Sequence, residues 1–155
     1  MAGPWVCDRI DAAVDRVLDT IAGDIVLGIP LGIGKPNPFV NALYRRIKAN
    51  PARRLRIITA LSLEKPVGKS ELEAHFLEPL VERLFKDYPD LDYVKDLRAR
   101  ALPPNVEVRE FFMKTGDYLG NESAQQNYIS TNYTFVVRDM DVQGMNVLAQ
   151  AVGAR

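Results

Sequence analysis

Hydrophobic residues recur three or four positions apart in five segments of the chain, and this spacing predicts amphipathic helices. The predicted helices cover about residues 8–22, 37–49, 70–87, 90–102 and 132–141. Ser70 and Glu73 have the spacing of a capping box before the third segment, which makes it the strongest helix signal in the sequence. Gly144 follows the last segment and predicts its C-terminal end.

Short runs rich in β-branched residues lie between these helices and predict four strands, near residues 24–28, 55–60, 106–112 and 145–152. The first two strands flank one helix, and the crossover of such a unit places both strands parallel in one sheet. The predicted fold class is therefore α/β, with an open parallel sheet and helices on both faces. Residues 116–132 are polar and predict mostly loop with one weak helical turn.

The last predicted strand ends three residues before the end of the sequence, so no helix follows it to cover one face of the sheet. Two interpretations stay open. In one, Val152 belongs to an edge strand of a complete small domain. In the other, the sequence is a truncated part of a longer protein.

Composition narrows the function classes. The 155 residues are 47% hydrophobic and suit one domain covering residues 1–155. Equal numbers of basic and acidic residues, 20 of each, argue against nucleic acid or a membrane surface as a partner. The longest nearly apolar run, Ile25–Ile33, is too short to span a bilayer, and the N-terminus lacks the apolar core of a signal peptide. We therefore expect a cytoplasmic protein.

Cysteine and histidine each occur once, which limits the chemistry of the chain. Cys7 alone cannot form a disulfide or a thiolate metal cluster within one chain, and a multi-histidine metal site is excluded. We expect no metal site. A Ser-His-Asp arrangement would need His75 to face a nucleophile, but His75 falls in the third predicted helix, where packing is its default role.

A glycine-rich loop, Gly28–Asn37, is the sharpest local feature. A strand that leads through such a loop into a helix is typical of anion sites, because backbone N–H groups point at the ligand. The loop is not a Walker A motif, since five residues separate Gly28 from Gly34 and Lys35 is not followed by Ser or Thr. It also lacks the third small residue of a dinucleotide fingerprint, because Asn37 stands there. The glycines could instead serve only the turn, and Asn37 is predicted to cap the next helix.

Two parts of the sequence resemble the acetyl-CoA hydrolase/transferase family, among the CoA transferases. The first is GIPLGIGKPNPFVNAL at residues 28–43. The second, a better match, is NYISTNYTFVVRDM at residues 127–140, followed by GMNVLAQAV at residues 144–152. The resemblance covers roughly residues 20–152 and is least distinct over about 61–104, which we interpret as a helical insertion in a CoA transferase-like fold.

The resemblance implies an enzyme with two similar α/β halves, of which this chain is the N-terminal one. Its substrates are an acyl-CoA and a small carboxylate, with coenzyme A as substrate and no covalently bound cofactor. A glutamate in the C-terminal half attacks the thioester to give an acyl-glutamyl anhydride, which either passes to CoA thiolate as a glutamyl-CoA thioester or is cleaved by water. Glu107, Glu110 and Glu122 do not match the catalytic motif, so we assign no catalytic residue and expect this chain alone to be inactive. Its partners would be that C-terminal half and, left open, a second copy.

The resemblance also implies which residues bind substrate. They are Gly28, Gly32, Gly34, Lys35, Asn37, Asn132 and Tyr133. The three glycines approach the bound acyl or carboxylate group. Lys35 departs from the family pattern, and it either pairs with a substrate carboxylate or is a solvated surface charge. Asn132 and Tyr133 either face the cleft between the halves or serve helix capping and core packing.

Two rival functions belong to other classes. One is a non-catalytic α/β domain that holds a phosphorylated or anionic small ligand on the Gly28–Asn37 loop. The other is an interaction module that uses the helix from Leu72 to Phe85 as a partner surface. We rank the second last, because an apolar helical stripe is more often core.

Overall fold

The computed structural model describes Gly3 and residues 5–153 as an α/β domain. Its helices are α1 Ile10–Thr20, α2 Asn37–Lys48, α3 Glu71–Phe85, α4 Asp92–Arg98, α5 Glu122–Gln126 and α6 Val136–Val142. Its strands are β1 Ile25–Gly28, β2 Leu55–Thr59, β3 Val106–Glu110 and β4 Val147–Leu148. A 3-10 turn at Gly32–Gly34 precedes α2. No helix in the described part is both long and apolar enough to cross a membrane.

The strands form one parallel sheet in the order β3-β2-β1-β4, which confirms the predicted open parallel sheet. Leu27 at the middle of β1 pairs with Ile57 of β2 on one side and Val147 of β4 on the other. The chain therefore adds β2 and β3 on one side of β1 and then returns to its other side. In such sheets, the carboxyl edge at this reversal is where ligands bind.

The core lies on one face of the sheet because side chains alternate along each strand. The register places Leu27, Ile57 and Val108 side by side, and helices α1, α2 and α4 pack against them in one apolar cluster. The opposite face carries charged residues of β2 and β3. There the residue that follows α6, Gln143, accepts hydrogen bonds from Arg56 and Arg109.

Strand β4 is shorter than predicted. The predicted strand covers 145–152, but only Val147 and Leu148 pair as a strand, and 67% of Leu148 is exposed. Before it, the Asn146 side chain occupies the edge of β1 by accepting from the Val26 N–H at 2.9 Å. Beyond it, β1 has ended, and the Ala151 N–H instead donates to the Gly34 carbonyl at 2.9 Å. The chain therefore follows the glycine loop after β4.

Helices α3 and α4 exchange the roles that their patterns suggest. One half of the capping box of α3 is present, since the Glu73 N–H donates to Ser70 Oγ at 3.2 Å, while the Glu73 carboxylate accepts from the Lys69 N–H at 2.7 Å in place of the Ser70 N–H. None of the α3 side chains is buried, however, and 82% of Leu72 and 76% of Phe76 are exposed. The shorter α4 instead completes the core with Tyr93, Val94 and Leu97. The description of residues 61–104 as an insertion stays a prediction, but its second helix belongs to the core.

Candidate functional site

The glycine loop lies at the carboxyl end of β1, between β2 and β4. Gly28 is the last residue of β1, and the loop then passes through the 3-10 turn to the start of α2. The Ile29 N–H donates to the Ile58 carbonyl at 3.1 Å, which holds the beginning of the loop on β2. The loop therefore occupies the carboxyl edge where the strand order reverses.

The space or the backbone geometry at each of the three loop glycines favours a residue without a side chain. A Cβ on Gly28 would lie 2.3 Å from Met145 Sδ, so Met145 packs where that side chain would be. Gly32 has a φ of +61°, in the left-handed region that favours glycine. A Cβ on Gly34 would lie 3.3 Å from Pro30 Cγ, a tight contact. Packing and turn geometry account for these glycines, and their approach to a ligand stays a prediction.

Lys35 points into the protein and is not a solvated surface charge. Only 3% of it is exposed. Its ammonium group donates to the carbonyls of Ala60 at 2.7 Å, Leu61 at 3.1 Å and Gly32 at 3.4 Å. These bonds use the three donors of an ammonium group, so none remains for a substrate carboxylate. Burial lowers the pKa of Lys35 from 10.5 to about 8, although the charge of Glu110 acts in the opposite direction.

The outer surface of the loop is apolar because its lysine turns inward. Leu31 is 40% exposed and Ile33 is 71% exposed. Beside them, Leu61 has a φ of +46°, a conformation that costs a non-glycine residue about 1–3 kcal/mol. Two hydrogen bonds hold Leu61 there, one from Lys35 to its carbonyl and one from its own N–H to the Phe112 carbonyl at 2.8 Å.

A buried carboxyl group lies at the end of β3. Glu110 is 1% exposed, and its Oε1 accepts from Ser62 Oγ at 2.5 Å. The Ser62 hydroxyl also lies 2.7 Å from the Tyr93 hydroxyl, so Ser62 joins β3 to α4. Burial raises the pKa of Glu110, and the hydrogen bonds from Ser62 oppose that rise. Lys35 and this network together connect the loops that follow β1, β2 and β3.

Ser62 and Tyr93 stand in no sequence motif, and Glu110 lies outside the catalytic motif of the resembled family. One signal for its burial was available, because Val106, Val108 and Glu110 alternate along β3 and so share the core face. No comparable pattern marks Ser62, which reaches Glu110 only because β2 and β3 are neighbours.

Asn37 does not cap α2, contrary to prediction. It is the first helical residue, and Pro36 holds the cap position. Its Nδ2 donates to the Pro89 carbonyl at 2.7 Å, while its buried Oδ1 has no hydrogen-bond partner among the described residues. One turn later, Asn41 donates to the Asp90 carbonyl at 2.8 Å. Both amides therefore tie α2 to the segment before α4 instead of closing the end of their own helix.

Asn132 and Tyr133 do not join the glycine loop through any hydrogen bond in the described part of the chain. Asn132 Oδ1 accepts from the Thr134 N–H at 3.0 Å, within its own turn. This turn delays the start of α6 to Val136, four residues after the predicted start. Tyr133 is 72% exposed and therefore serves no core packing. Its position at a cleft between two halves stays a prediction.

The three glutamates considered for catalysis, Glu107, Glu110 and Glu122, all accept hydrogen bonds from neighbouring side chains. Glu107 lies on the charged face of the sheet, where Arg56 contacts it at 3.0 Å and Arg109 at 2.5 Å. Burial raises the pKa of Glu107, but the hydrogen bonds from these two arginines outweigh burial and hold this pKa below its ordinary value. Glu122 begins α5 and accepts from its neighbour Gln126 at 2.9 Å. Within Gly3 and residues 5–153, no group of three acidic, histidine or cysteine side chains could hold a metal ion.

Comparison of the chain with known protein families, with curated proteins and with solved structures found no match in any of the three. The function of the chain is therefore inferred from its residues and from the geometry of the glycine loop.

Proposed function

We propose that this chain is the loop-bearing N-terminal half of an acyl-CoA hydrolase or CoA transferase, and that the glycine loop receives the acyl end of the thioester. The observation that carries the proposal is the position of the loop. It follows the strand beside which the sheet order reverses, at the edge where ligands of open α/β sheets bind. The sequence resemblance of residues 28–43 supplies the chemical class.

The surface of the loop supports an acyl group over a phosphate. A loop that cradles phosphate normally presents a lysine to it, as the P-loop does. Here Lys35 is committed to three backbone carbonyls, while Leu31 and Ile33 face outward. The rival function, a non-catalytic domain that binds a phosphorylated ligand on this loop, is therefore the weaker candidate.

The proposed reaction divides the work between two halves. A glutamate of the second half attacks the thioester carbonyl, the C–S bond breaks, CoA leaves as a thiolate and an acyl-glutamyl anhydride forms. In a hydrolase, water cleaves the anhydride. In a transferase, the CoA thiolate attacks the glutamyl carbonyl of the anhydride, the first carboxylate leaves, and a glutamyl-CoA thioester forms. An acceptor carboxylate then displaces CoA to form a second anhydride, which CoA attacks to give the new acyl-CoA and free glutamate. This chain supplies the loop that positions the acyl group, because effective attack needs that geometry.

Calorimetric titration of the 155-residue chain tests the proposal. We expect acetyl-CoA to bind, glucose 6-phosphate not to bind, and no thioester to be turned over by the chain alone. Gly34→Ala should weaken acetyl-CoA binding, whereas Gly23→Ala is a matched control because a Cβ there meets nothing within 4 Å. Binding of glucose 6-phosphate without acetyl-CoA would favour the rival domain. Turnover that disappears on mutation of Glu110 would place a catalytic acid on this chain and contradict the proposal.

A further inference from the structure

A groove of about 600 Å³ opens beside the glycine loop. We call it the lysine groove. Its lining comes from segment 61–69, which follows β2, and from four residues further along the chain, Leu77, Arg98, Lys114 and Asp117. The groove adjoins the loop through Leu63, whose Cδ1 lies 3.7 Å from the place of a Cβ on Gly32. Its volume falls within the range of sites for small organic ligands.

The lining of the lysine groove has an excess of positive charge. Four basic side chains face two carboxylates. Arg98 binds both carboxylates, Glu64 through its Nε and Asp117 through a second nitrogen at 3.2 Å. Among the described residues, the ammonium groups of Lys65, Lys69 and Lys114 have no carboxylate within 4.0 Å. Three cations therefore remain available to a ligand.

The groove combines this charge with an apolar wall. Leu61, Leu63 and Val67 line it together with the lysines. The strained backbone of Leu61 belongs to this wall and is held in place by buried Lys35. Strained residues that their surroundings hold in place cluster at ligand sites. Such a surface suits an organic anion with phosphate groups at one end and an uncharged portion at the other.

We infer that the lysine groove binds the phosphate groups of such a ligand, with Lys65 and Lys114 contacting them. Phosphate oxygens accept strong, charge-assisted hydrogen bonds from ammonium groups. The choice of acetyl-CoA as the ligand rests on the proposed function, whereas the preference for phosphate rests on the groove alone. An acyl end at the glycine loop and phosphates in the adjoining groove would make one continuous site.

Titration of the full chain with three compounds tests the inference. They are acetyl-CoA, S-acetylpantetheine, which lacks phosphate, and inorganic pyrophosphate. The variant Lys65→Gln/Lys114→Gln removes two cations of the groove, and Lys86→Gln/Lys95→Gln removes the same charge elsewhere. We expect the groove variant to bind acetyl-CoA and pyrophosphate about tenfold more weakly, and the control variant to bind both as the wild type does. S-acetylpantetheine should not distinguish the variants.

The possible failures have different meanings. If acetyl-CoA binds equally well to the wild type and the groove variant, the groove inference is overturned and the proposed function stands. If pyrophosphate binds in a lysine-dependent manner but acetyl-CoA does not bind, the proposed function fails and the groove remains a phosphate site. Equal losses of affinity in the groove variant and the control variant would show that net charge causes the effect, and would overturn the inference. If neither acetyl-CoA nor pyrophosphate binds, both the groove inference and the proposed function are overturned.

Discussion

Replacing Lys35 with methionine separates the charge of its ammonium group from the packing of its alkyl chain. Methionine keeps an unbranched apolar side chain but leaves the carbonyls of Gly32, Ala60 and Leu61 without this donor. Each buried carbonyl left without a partner costs about 1–3 kcal/mol, while removal of a buried charge is favourable. The free energy of unfolding measured at one pH contains both effects, so its change with pH is the informative quantity.

The direction of that dependence follows from the lowered pKa of Lys35, about 8 against an ordinary 10.5. Between these two values the folded chain has released the proton and the unfolded chain still holds it. Because the unfolded state then binds more protons, the free energy of unfolding rises with pH in this range. The linkage relation gives a gain of about 2 kcal/mol between about pH 7 and pH 9.5. At lower pH both states are protonated and the gain is absent.

Urea unfolding followed by circular dichroism measures this gain. We expect the free energy of unfolding of the wild type to rise by about 2 kcal/mol relative to Lys35→Met between about pH 7 and pH 9.5. Lys86→Met is the control, because its side chain is 68% exposed and it should follow the wild type. Parallel pH profiles for the wild type and Lys35→Met would show that the ammonium group is not buried as described.

Four further variants test other parts of the structure. Burial raises the pKa of Glu110 above its ordinary 4.5, so in the same urea assay the wild type should lose stability relative to Glu110→Gln as pH rises above about 4.5. Gly28→Ala should cost less than about 1 kcal/mol, because the new Cβ meets Met145 Sδ near the end of a flexible side chain that can move aside; a larger loss of stability would show that Met145 is held in place. Phe76→Ser on exposed α3 should cost less than about 0.5 kcal/mol, whereas Leu97→Ala in the core should cost about 2–5 kcal/mol; equal costs by thermal unfolding would mean that α3 is packed.

The architecture of the chain was predictable because its signals are local. A β-branched run, an amphipathic helix and a second such run can form only a crossover between parallel strands, and β1, α2 and β2 do so. The cap at Ser70, which accepts from the Glu73 N–H, likewise lies within four residues and is present. Even the single weak turn expected in the polar segment appears as α5.

The partners of polar residues were not predictable, because they come from distant parts of the chain. Lys35 follows a glycine loop and suggests an anion site, but the carbonyls that take its ammonium group lie 25 and 26 positions further along. Asn37 precedes a helical pattern and suggests a cap, yet its amide finds Pro89. Local sequence shows that a side chain can donate a hydrogen bond, and only the fold decides which acceptor comes within reach.

The same distinction applies to apolar faces. Periodicity shows that Leu72 and Phe76 share a side of α3, as it shows that Val94 and Leu97 share a side of α4. In the fold only the apolar side of α4 joins the core cluster, and the side chains of α3 are not buried. The sequence by itself therefore determined which segments form helices and strands and that the strands are parallel, although the pattern overestimated the length of β4. The tertiary structure decided which face is covered and where each charge is held, because burial depends on contacts between segments far apart in the chain.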